Sequence, residues 1–265
     1  QPKTPKKRRS LGCFWQFVLI GIFILAGIAL AVASFGVYRY YQVASSLPDV
    51  ATLRERASQF ETTRILDRNG NLLYEVLDPN AGRRTYIPLE RISPNLIAAT
   101  IATEDKDFYD NPGFDLCGIT RALWQNYTSG EVVSGASTIT QQLARLVLMT
   151  QEERYEVSTD RKAREIILAA EITRRYTKDE ILELYLNEIY YSNLAYGVEA
   201  AAETYFNTSA ANLTMGQSAF LAVLPQGPGI YDIFTNRDAT LERTKQVLVL
   251  MYTLSNERNC INIES

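Results

Sequence analysis

The 265-residue chain contains no histidine, which removes the usual general base and every Ser-His-Asp or Cys-His nucleophile. Its three scattered cysteines form no zinc pattern, so a metal site would have to be built from oxygen ligands. Five of the 27 basic residues precede Ser10, and the other 22 stand against 30 acidic residues, so the rest of the chain has a net charge of −8 and is not expected to bind nucleic acid.

The first predicted element is a membrane-spanning helix over residues 11–38, which follows a basic tail, residues 1–10. No residue from Leu11 to Tyr38 is charged, and at ~1.5 Å per residue the run exceeds the ~30 Å hydrocarbon core. Because basic flanks stay cytoplasmic, we expect a single pass with the main domain outside. The alternative is a cleaved signal peptide, but the length of the apolar run favours a retained anchor.

Residues 39–82 are predicted to link this anchor to the main domain. A short juxtamembrane helix is expected after Pro48. Two apolar runs then flank Asn69-Gly70, and an Asn-Gly pair in that position is typical of a β-hairpin.

Residues 83–265 show helical periodicity without the alternating runs of strands, so the predicted fold class is all-α. Asp160 is predicted to cap one helix, and capping boxes are predicted at residues 177–180 and 214–217. Gly130 and Gly135 are expected to bracket a mobile segment. The predicted helices cover residues 93–104, 116–127, 137–149, 160–176, 197–206, 214–224 and 238–254, and a further helix opens at Thr177.

Glu104 closes the helix that Ser93, as a cap, and Pro94 are predicted to open. It continues the apolar face of Leu96 and Ile101, so its carboxylate should lose solvation and its pKa should rise. A proton acceptor near neutral pH needs that environment. The alternative is a solvated Glu-Asp pair that merely ends the helix, and these residues alone support both interpretations equally.

The second stretch of interest, residues 135–145, crowds polar side chains around a helix start. Free backbone N–H groups and the positive dipole end there suit phosphate or sugar hydroxyls. Gln141 and Arg145, four residues apart, are expected on one polar face away from Leu143. The alternative is an ordinary polar cap.

The third stretch, residues 160–165, places three cations beside Glu165. It suits a pyrophosphate clamp with an acid next to it. More commonly, such spacing means a weak surface ion pair, here between Arg161 and Glu165. Lys162 is expected to be the cleanest probe of the clamp, because Ile166 and not an acid lies four residues ahead.

In this order the stretches resemble the motifs of the family 51 glycosyltransferases, the peptidoglycan glycosyltransferase domains of class A penicillin-binding proteins and their monofunctional relatives. The resemblance covers roughly residues 83–254 and implies a lysozyme-like helical domain with an extracytoplasmic cleft near the bacterial cell membrane. The five motifs are matched by Glu104-Asp105-x-x-Phe108, Gly135-Ala136-Ser137-Thr138-Ile139-Thr140-Gln141-Gln142-Leu143, Arg161-Lys162-x-x-Glu165, Lys178-x-x-Ile181-Leu182-Glu183-Leu184-Tyr185-Leu186-Asn187 and Arg243-x-x-x-Val247-Leu248-x-x-Met251.

The resemblance also implies residue roles, in which Glu104 matches the general base and Glu165 a second catalytic acid. No residue is expected to ligate a metal, and no cofactor is obligatory, although a divalent cation, Mg²⁺ or Mn²⁺, at the pyrophosphate is left open. Substrate contacts are expected from Asp105, Phe108, Asn111, Ser137, Thr138, Gln141, Gln142, Arg145, Arg161 and Lys162.

Four positions depart from the family pattern. Asn111 stands where histidine is frequent, Arg145 where lysine is, Leu146 where asparagine is, and Ser192 where glycine is. None of them removes a catalytic carboxylate. Arg145 keeps the charge but changes its geometry, and Asn111 cannot titrate.

The implied activity is polymerisation of lipid II into glycan chains with release of undecaprenyl pyrophosphate. The implied partners are lipid II, the growing glycan chain, the bilayer and a transpeptidase domain or protein. An exposed apolar segment, residues 114–128, is expected to dip into the bilayer. No Ser-x-x-Lys occurs, so the penicillin-binding transpeptidase site is not expected within these residues.

Two other functions stay open. A lysozyme-like enzyme would cleave glycan with two carboxylates but would have no pyrophosphate for the cations to hold. A non-catalytic anchor that binds lipid II or glycan would not need Glu104 and Glu165. Cys117 and Cys260 are both expected outside the cytoplasm, where free thiols are favoured over a disulfide between them.

Overall fold

The computed structural model describes residues 11–45, 48–57, 62–76, 82–116, 118–120, 137–156 and 158–258. The chain forms two compact units, Gln1–Leu47 and Pro48–Ser265. In the first, helix α1 (Leu11–Ala44) extends beyond the predicted end at Tyr38. Its stretch Trp15–Gln42 is long and apolar enough to cross a membrane, which agrees with the predicted anchor.

The second unit confirms the predicted all-α class, since strands are few and short among its described residues. Its helices are α2 (Leu53–Ala57), α3 (Pro94–Glu104), α4 (Ile139–Leu148), α5 (Gln151–Tyr155), α6 (Thr159–Arg175), α7 (Lys178–Glu188), α8 (Val198–Phe206), α9 (Met215–Val223) and α10 (Arg237–Arg258). Its 3-10 turns are Val50–Thr52, Leu89–Arg91, Ala210–Asn212 and Leu224–Gln226, and its strands are β1 (Thr63–Leu66), β2 (Leu72–Val76), β3 (Arg83–Arg84) and β4 (Ala195–Tyr196).

The predicted hairpin is present, with β1 antiparallel to β2 and an irregularity between Ile65 and Leu66. Gly70 in its turn has a φ of 84°, which glycine adopts at little cost. Strands β3 and β4 form a second, parallel pair that was not predicted. Two residues each are too few to show an alternating pattern in the sequence.

The capping predictions had mixed outcomes. The boxes at Thr177 and Thr214 are confirmed. Ser93 occupies the N-cap position of α3 but makes no capping bond. Its hydroxyl donates to the carbonyl of Leu213 at 2.9 Å. The cap predicted at Asp160 is wrong, since Ser158 caps α6 by accepting from the Arg161 N–H at 3.0 Å.

Two groups of helices position the site. Helices α3, α9 and α10 pack together, and α4 packs against α6 and α7. The shared core of the first group contains Ala99, Ala219, Ala222, Val223, Val247 and Met251. The groups meet where α3 ends and α4 begins, because Asp105 Oδ2 accepts from the Ile139 N–H at 3.2 Å.

The segment Pro48–Ala57, predicted as part of a linker, belongs to the fold of the second unit. Val50, Leu53 and Ala57 are buried, and α2 contacts both α4 and α7. The hydroxyl of Tyr176, at the end of α6, donates to the carbonyl of Val50 at 3.0 Å. The predicted domain boundary at residue 83 therefore leaves out residues that help to build the core.

Ser192, one of the departures from the family pattern, has a φ of 67°. L-residues in this left-handed region are strained by roughly 1–2 kcal/mol, whereas glycine is not. That difference is a physical reason for glycine at this position. The Ser192 hydroxyl donates to the carbonyl of Pro228 at 3.2 Å, which offsets part of the strain.

Several predictions fall outside the described residues. They concern the segment between Gly130 and Gly135, both Cys117 and Cys260, and most of the apolar segment 114–128. Within that segment Leu116 is described and is largely exposed.

Candidate active site

Glu104 ends α3 with its carboxylate partly buried. Its Oε2 accepts from Gln142 Nε2 at 2.5 Å, and its Oε1 is buried without a hydrogen bond of normal geometry. Burial raises the pKa of Glu104, while Gln142, Gln226 and the charge of Arg243 oppose the shift. The pKa direction expected from the apolar helix face is therefore confirmed.

Gln142 was predicted to contact substrate, and in the structure it also orients the Glu104 carboxylate. Its Oε1 accepts from the Tyr185 hydroxyl at 3.2 Å, so its Nε2 faces Glu104. Tyr185 is fully buried on α7. Sequence reasoning placed Tyr185 in a motif but missed it as a residue of the site.

Asp105 and Asn111 brace the loop after α3. Both carboxylate oxygens of Asp105 lie 2.9–3.0 Å from Asn111 Nδ2. Asn111 Oδ1 accepts from the Gly113 N–H and from Lys178 Nζ, at 2.9 and 3.1 Å. An asparagine can donate and accept at once without titrating, so it fills the place of the frequent histidine.

Phe108 is fully buried, with Lys178 Nζ 4.7 Å from its ring centroid. Direct substrate contact by Phe108 is therefore ruled out in this conformation, and its place is in the core. A cation over an aromatic face stabilises by about 0.5–2 kcal/mol, so Phe108 also fixes Lys178 at the start of α7.

Thr138 and Gln141 form the capping box of α4. The Gln141 N–H donates to Thr138 Oγ1 at 3.1 Å, and the Thr138 N–H donates back to Gln141 Oε1 at 3.0 Å. Thr138 Oγ1 also donates to the carbonyl of Gly113 at 2.6 Å. Gln141 is fully buried, because the box turns its side chain back into the protein. The polar face expected for Gln141 and Arg145 is therefore closed to solvent at Gln141.

Glu165 is fully buried on α6 among three cations. Arg161 Nη1 binds its Oε1, Arg145 Nη1 lies 3.7 Å from the same oxygen, and Lys162 Nζ lies 3.1 Å from Oε2. The alternative of a surface ion pair is therefore wrong. We call these four residues the cation cluster.

Lys162 is also tied to the helix start of α4, because its Nζ donates to Ser137 Oγ at 2.7 Å. Burial lowers the pKa of Lys162, and the neighbouring Glu165 opposes that shift. No acid lies four residues ahead of Lys162, but Glu165 lies three residues ahead and pairs with it, so Lys162 is not the clean probe that was expected.

Helix α4 joins the two halves of the site, because Gln142 holds Glu104 and Arg145 reaches Glu165. Beside Glu104 lies an open cavity of about 300 Å³. Its lining includes Glu104, Asp105, Ser137 and Thr138, together with Lys106, Asp107, Asp115 and Leu250. A residue with a raised pKa, Glu104, thus lines the same cavity as Ser137, and Ser137 contacts Lys162 of the cation cluster.

The donors of this site do not suit a resident divalent cation. Among the residues that the structure describes, no three Asp, Glu, His or Cys side chains gather to hold a metal. Glu165 faces three cations instead, and one oxygen of Glu104 is held by an amide.

Comparison with known proteins places the chain in a family. Residues 69–252 match the family described as Transglycosylase. Penicillin-binding protein 1A of Rickettsia typhi is 39% identical over 242 residues, which are 90% of this chain and 29% of that protein. Penicillin-binding protein 1A of Escherichia coli is 41% identical over 217 residues, 82% of this chain and 24% of that protein.

Among solved structures, Penicillin-Binding Protein 1A from Haemophilus influenzae aligns with a TM-score of 0.38 and 24% identity over 77% of this chain and 19% of that one. The chain spans less than a third of the length of the curated relatives named above. Because the family match covers most of the chain, from the hairpin to α10, the chain belongs to the transglycosylase family, that of the peptidoglycan glycosyltransferases.

Proposed function

We propose that this chain polymerises lipid II into glycan chains for cell-wall synthesis, with release of undecaprenyl pyrophosphate. The observation that carries the proposal is the pairing of two different carboxylates on either side of α4. Glu104 has a raised pKa and an oxygen without a normal hydrogen bond, and Glu165 gathers three cations. Proton removal and stabilisation of a leaving pyrophosphate need these two environments.

In the proposed reaction the Glu104 carboxylate takes the proton from the 4-hydroxyl of the acceptor's GlcNAc. That oxygen forms a bond to C1 of the donor's MurNAc, with inversion. The bond from C1 to the pyrophosphate oxygen breaks, and its electron pair leaves with the lipid pyrophosphate. Gln142 keeps the Glu104 carboxylate oriented, so little reorganisation is needed at the moment of transfer.

The cation cluster supplies charge for the leaving group. Three cations against one glutamate leave a net charge of +2, which can attract a pyrophosphate. Arg145 is the cation least committed to Glu165, at 3.7 Å, and about a third of its side chain is exposed. A planar guanidinium can bind phosphate oxygens in a bidentate manner. No step of this mechanism passes through a metal ion.

Helix α1 suits a protein that works on a lipid-linked substrate. We infer that the basic tail lies in the cytoplasm and that the catalytic unit lies outside, because basic flanks stay on the cytoplasmic side. The proposed partners are lipid II, the growing glycan chain, the bilayer and a transpeptidase domain or protein.

The test is incubation of the detergent-solubilised chain with labelled lipid II, with glycan products separated by length and with and without EDTA. Polymer that grows with time, and its absence in Glu104→Gln, are expected. A chain that instead shortens preformed glycan would support a lysozyme-like hydrolase. Binding of lipid II without turnover by the unmodified chain would support a non-catalytic anchor. Either result would overturn the proposal.

A further inference from the structure

The Tyr185 hydroxyl lies one hydrogen bond behind the contact between Gln142 and Glu104. It donates to Gln142 Oε1 at 3.2 Å, and Gln142 Nε2 donates to Glu104 Oε2 at 2.5 Å. Tyr185 is fully buried on α7, which packs against α4, and Gln142 is almost fully buried. The three side chains therefore form a hydrogen-bonded series that runs from the core to the residue that lines the cavity.

The direction of the Gln142 carboxamide matters for the protonation of Glu104. A carboxamide can present either its NH₂ group or its oxygen to a carboxyl group. The NH₂ group bonds best to the charged carboxylate and so favours that form, whereas the amide oxygen can accept only from the protonated form. Because Tyr185 donates to the Gln142 oxygen, the NH₂ group is the end that is left for Glu104.

Tyr185 keeps this direction fixed. Burial raises the pKa of Tyr185 well above its ordinary value, so its hydroxyl retains its proton in the range where Glu104 titrates. If the Gln142 carboxamide turned over, that proton would lose the acceptor that the described contacts give it. A buried donor without an acceptor is unfavourable, so the observed direction is preferred.

We propose that Tyr185 is a positioning residue, whose hydroxyl fixes Gln142 as a donor to Glu104 and so keeps that carboxylate charged and oriented for proton removal. The inference rests on the proposed function for its effect on turnover, but not for its effect on Glu104 itself. Burial raises the pKa of Glu104, and the Gln142 donor opposes that rise. Tyr185 therefore limits the rise without bringing a cation into contact with the base.

The charges that act on Glu104 stay in place when the Tyr185 hydroxyl is removed. They are Asp105, next to Glu104 at the end of α3, and Arg243 on α10. Tyr191, in the segment after α7, is buried, and burial raises its pKa, so it stays neutral in the same range. A change in the pKa of Glu104 in Tyr185→Phe therefore reports on the Gln142 donor.

The test compares Tyr185→Phe with Tyr86→Phe, both of which keep the ring and remove the hydroxyl. Tyr86 is the matched control, because its hydroxyl also bonds to a side chain of α7, donating to Glu183 Oε1 at 2.6 Å, and does not contact Gln142. NMR of the ¹³C-labelled carboxyl, assigned with Glu104→Gln, gives the pKa of Glu104. Turnover of lipid II is measured across pH on the same proteins.

For Tyr185→Phe we expect a higher pKa of Glu104, an acid limb of the turnover profile moved to higher pH, and a kcat at neutral pH lowered about three- to tenfold with KM nearly unchanged. Part of the lost turnover should return at alkaline pH, where Glu104 is charged again, which a merely structural defect would not show. Tyr86→Phe should match the unmodified chain. An unchanged Glu104 pKa in Tyr185→Phe, or the same shift in both variants, would overturn the inference.

A double variant tests whether Tyr185 acts through Gln142. In a chain that already carries Gln142→Met, Tyr185→Phe should change neither kcat nor the pKa of Glu104 any further. The double variant replaces both partners of one buried bond by apolar groups, a change that proteins tolerate better than the loss of one partner. It therefore serves even if Tyr185→Phe alone does not fold, and a further change relative to Gln142→Met would overturn the inference.

A failed polymerisation assay on the unmodified chain would remove the proposed function but leave the NMR comparison standing. The two ideas therefore fail separately.

Discussion

Glu104 is partly buried and Glu165 fully buried, and helix α4 contacts both, yet their surroundings are opposite. Glu104 accepts a hydrogen bond from the Gln142 amide, and no cation lies within ion-pairing distance of it among the contacts of the described residues. Glu165 is surrounded by Arg145, Arg161 and Lys162. The first carboxylate is left free to bind a proton, and the second is committed to cations.

This difference shows that burial alone does not assign a role to a carboxylate. Burial without a direct cation raises the pKa of Glu104, which suits a base. Burial among cations gives Glu165 an organising role, because it holds three side chains that would otherwise repel one another. The variants below test that contrast, beginning with the largest expected effect.

Glu104→Gln should lower polymerisation of lipid II by about a hundred- to ten-thousandfold, the usual contribution of a general base. Glutamine keeps the shape and can accept from Gln142 Nε2, so the thermal midpoint should stay close to that of the unmodified chain. Both are measured on one preparation, by product length and by circular dichroism. Near-normal polymerisation would show that Glu104 is not the base, and the proposed difference in role between Glu104 and Glu165 would then be wrong.

Glu165→Gln should instead lower the free energy of unfolding. Removing one charge from a buried cluster leaves its partners uncompensated and costs about 3–5 kcal/mol of unfolding free energy. Denaturant titration measures that loss. Glu171→Gln is the matched control on the same helix, because its partner Arg174 is largely exposed and such a pair contributes about 0–1 kcal/mol. Equal losses in both variants would show that Glu165 does not organise the cluster.

Arg145→Ala should lower kcat/KM for lipid II about ten- to a hundredfold, the effect of losing one charge-assisted contact. Stability should change little, since Arg145 lies 3.7 Å from Glu165 and is the most exposed of the three cations. Arg145→Lys, which matches the frequent family residue, should keep most of the activity, and Arg174→Ala serves as a surface control. Unchanged turnover in Arg145→Ala would contradict the pyrophosphate clamp.

Arg145 is a better residue than Lys162 for testing the clamp, and this difference could not be predicted from the sequence. Helical periodicity placed Glu104 on a buried face, and motif order brought it together with Glu165, since both depend on local spacing. The sequence singled out Lys162 as the cleanest probe. The fold makes it the least clean, because Lys162 contacts both Glu165 and Ser137, 25 residues away in sequence.

The misses have a common cause. Phe108 and Gln141 differ from their predicted roles because of contacts between elements distant in the chain or because of side-chain direction at a helix start. A capping box predicts which residues pair, and it also turns the third helical residue back toward the cap, which buries Gln141. Tyr185 was missed as a residue of the site, because its place in a motif says nothing of the side chain that it contacts across the fold.

Glu188 is a third glutamate with which to compare Glu104 and Glu165, because it has one close arginine where Glu104 has no close cation and Glu165 has three. The effect expected from it is the smallest. It is buried on α7 with Arg84 Nη1 at 3.0 Å from one oxygen, while its other oxygen is buried without a partner. Burial raises the pKa of Glu188 to about 7, against the opposing charges of Arg84 and Arg154. At Glu188, the charge of one close arginine therefore lowers the pKa by less than burial raises it.

Because the folded chain holds this proton above the ordinary glutamate pKa of 4.5, Glu188 contributes stability that is present below that value and lost as pH rises to about 7. The slope from one such group is at most about 1.4 kcal/mol per pH unit. Glu188→Gln, which can still accept from Arg84, should remove this slope. Denaturant midpoints from pH 5 to pH 8 measure this slope. Glu104→Gln should also lower the dependence of stability on pH, in the same direction, because the pKa of Glu104 is raised as well. Parallel stability curves for the unmodified chain and Glu188→Gln would mean that one arginine does hold a buried carboxylate charged, and the raised pKa of Glu104 would then need a direct measurement.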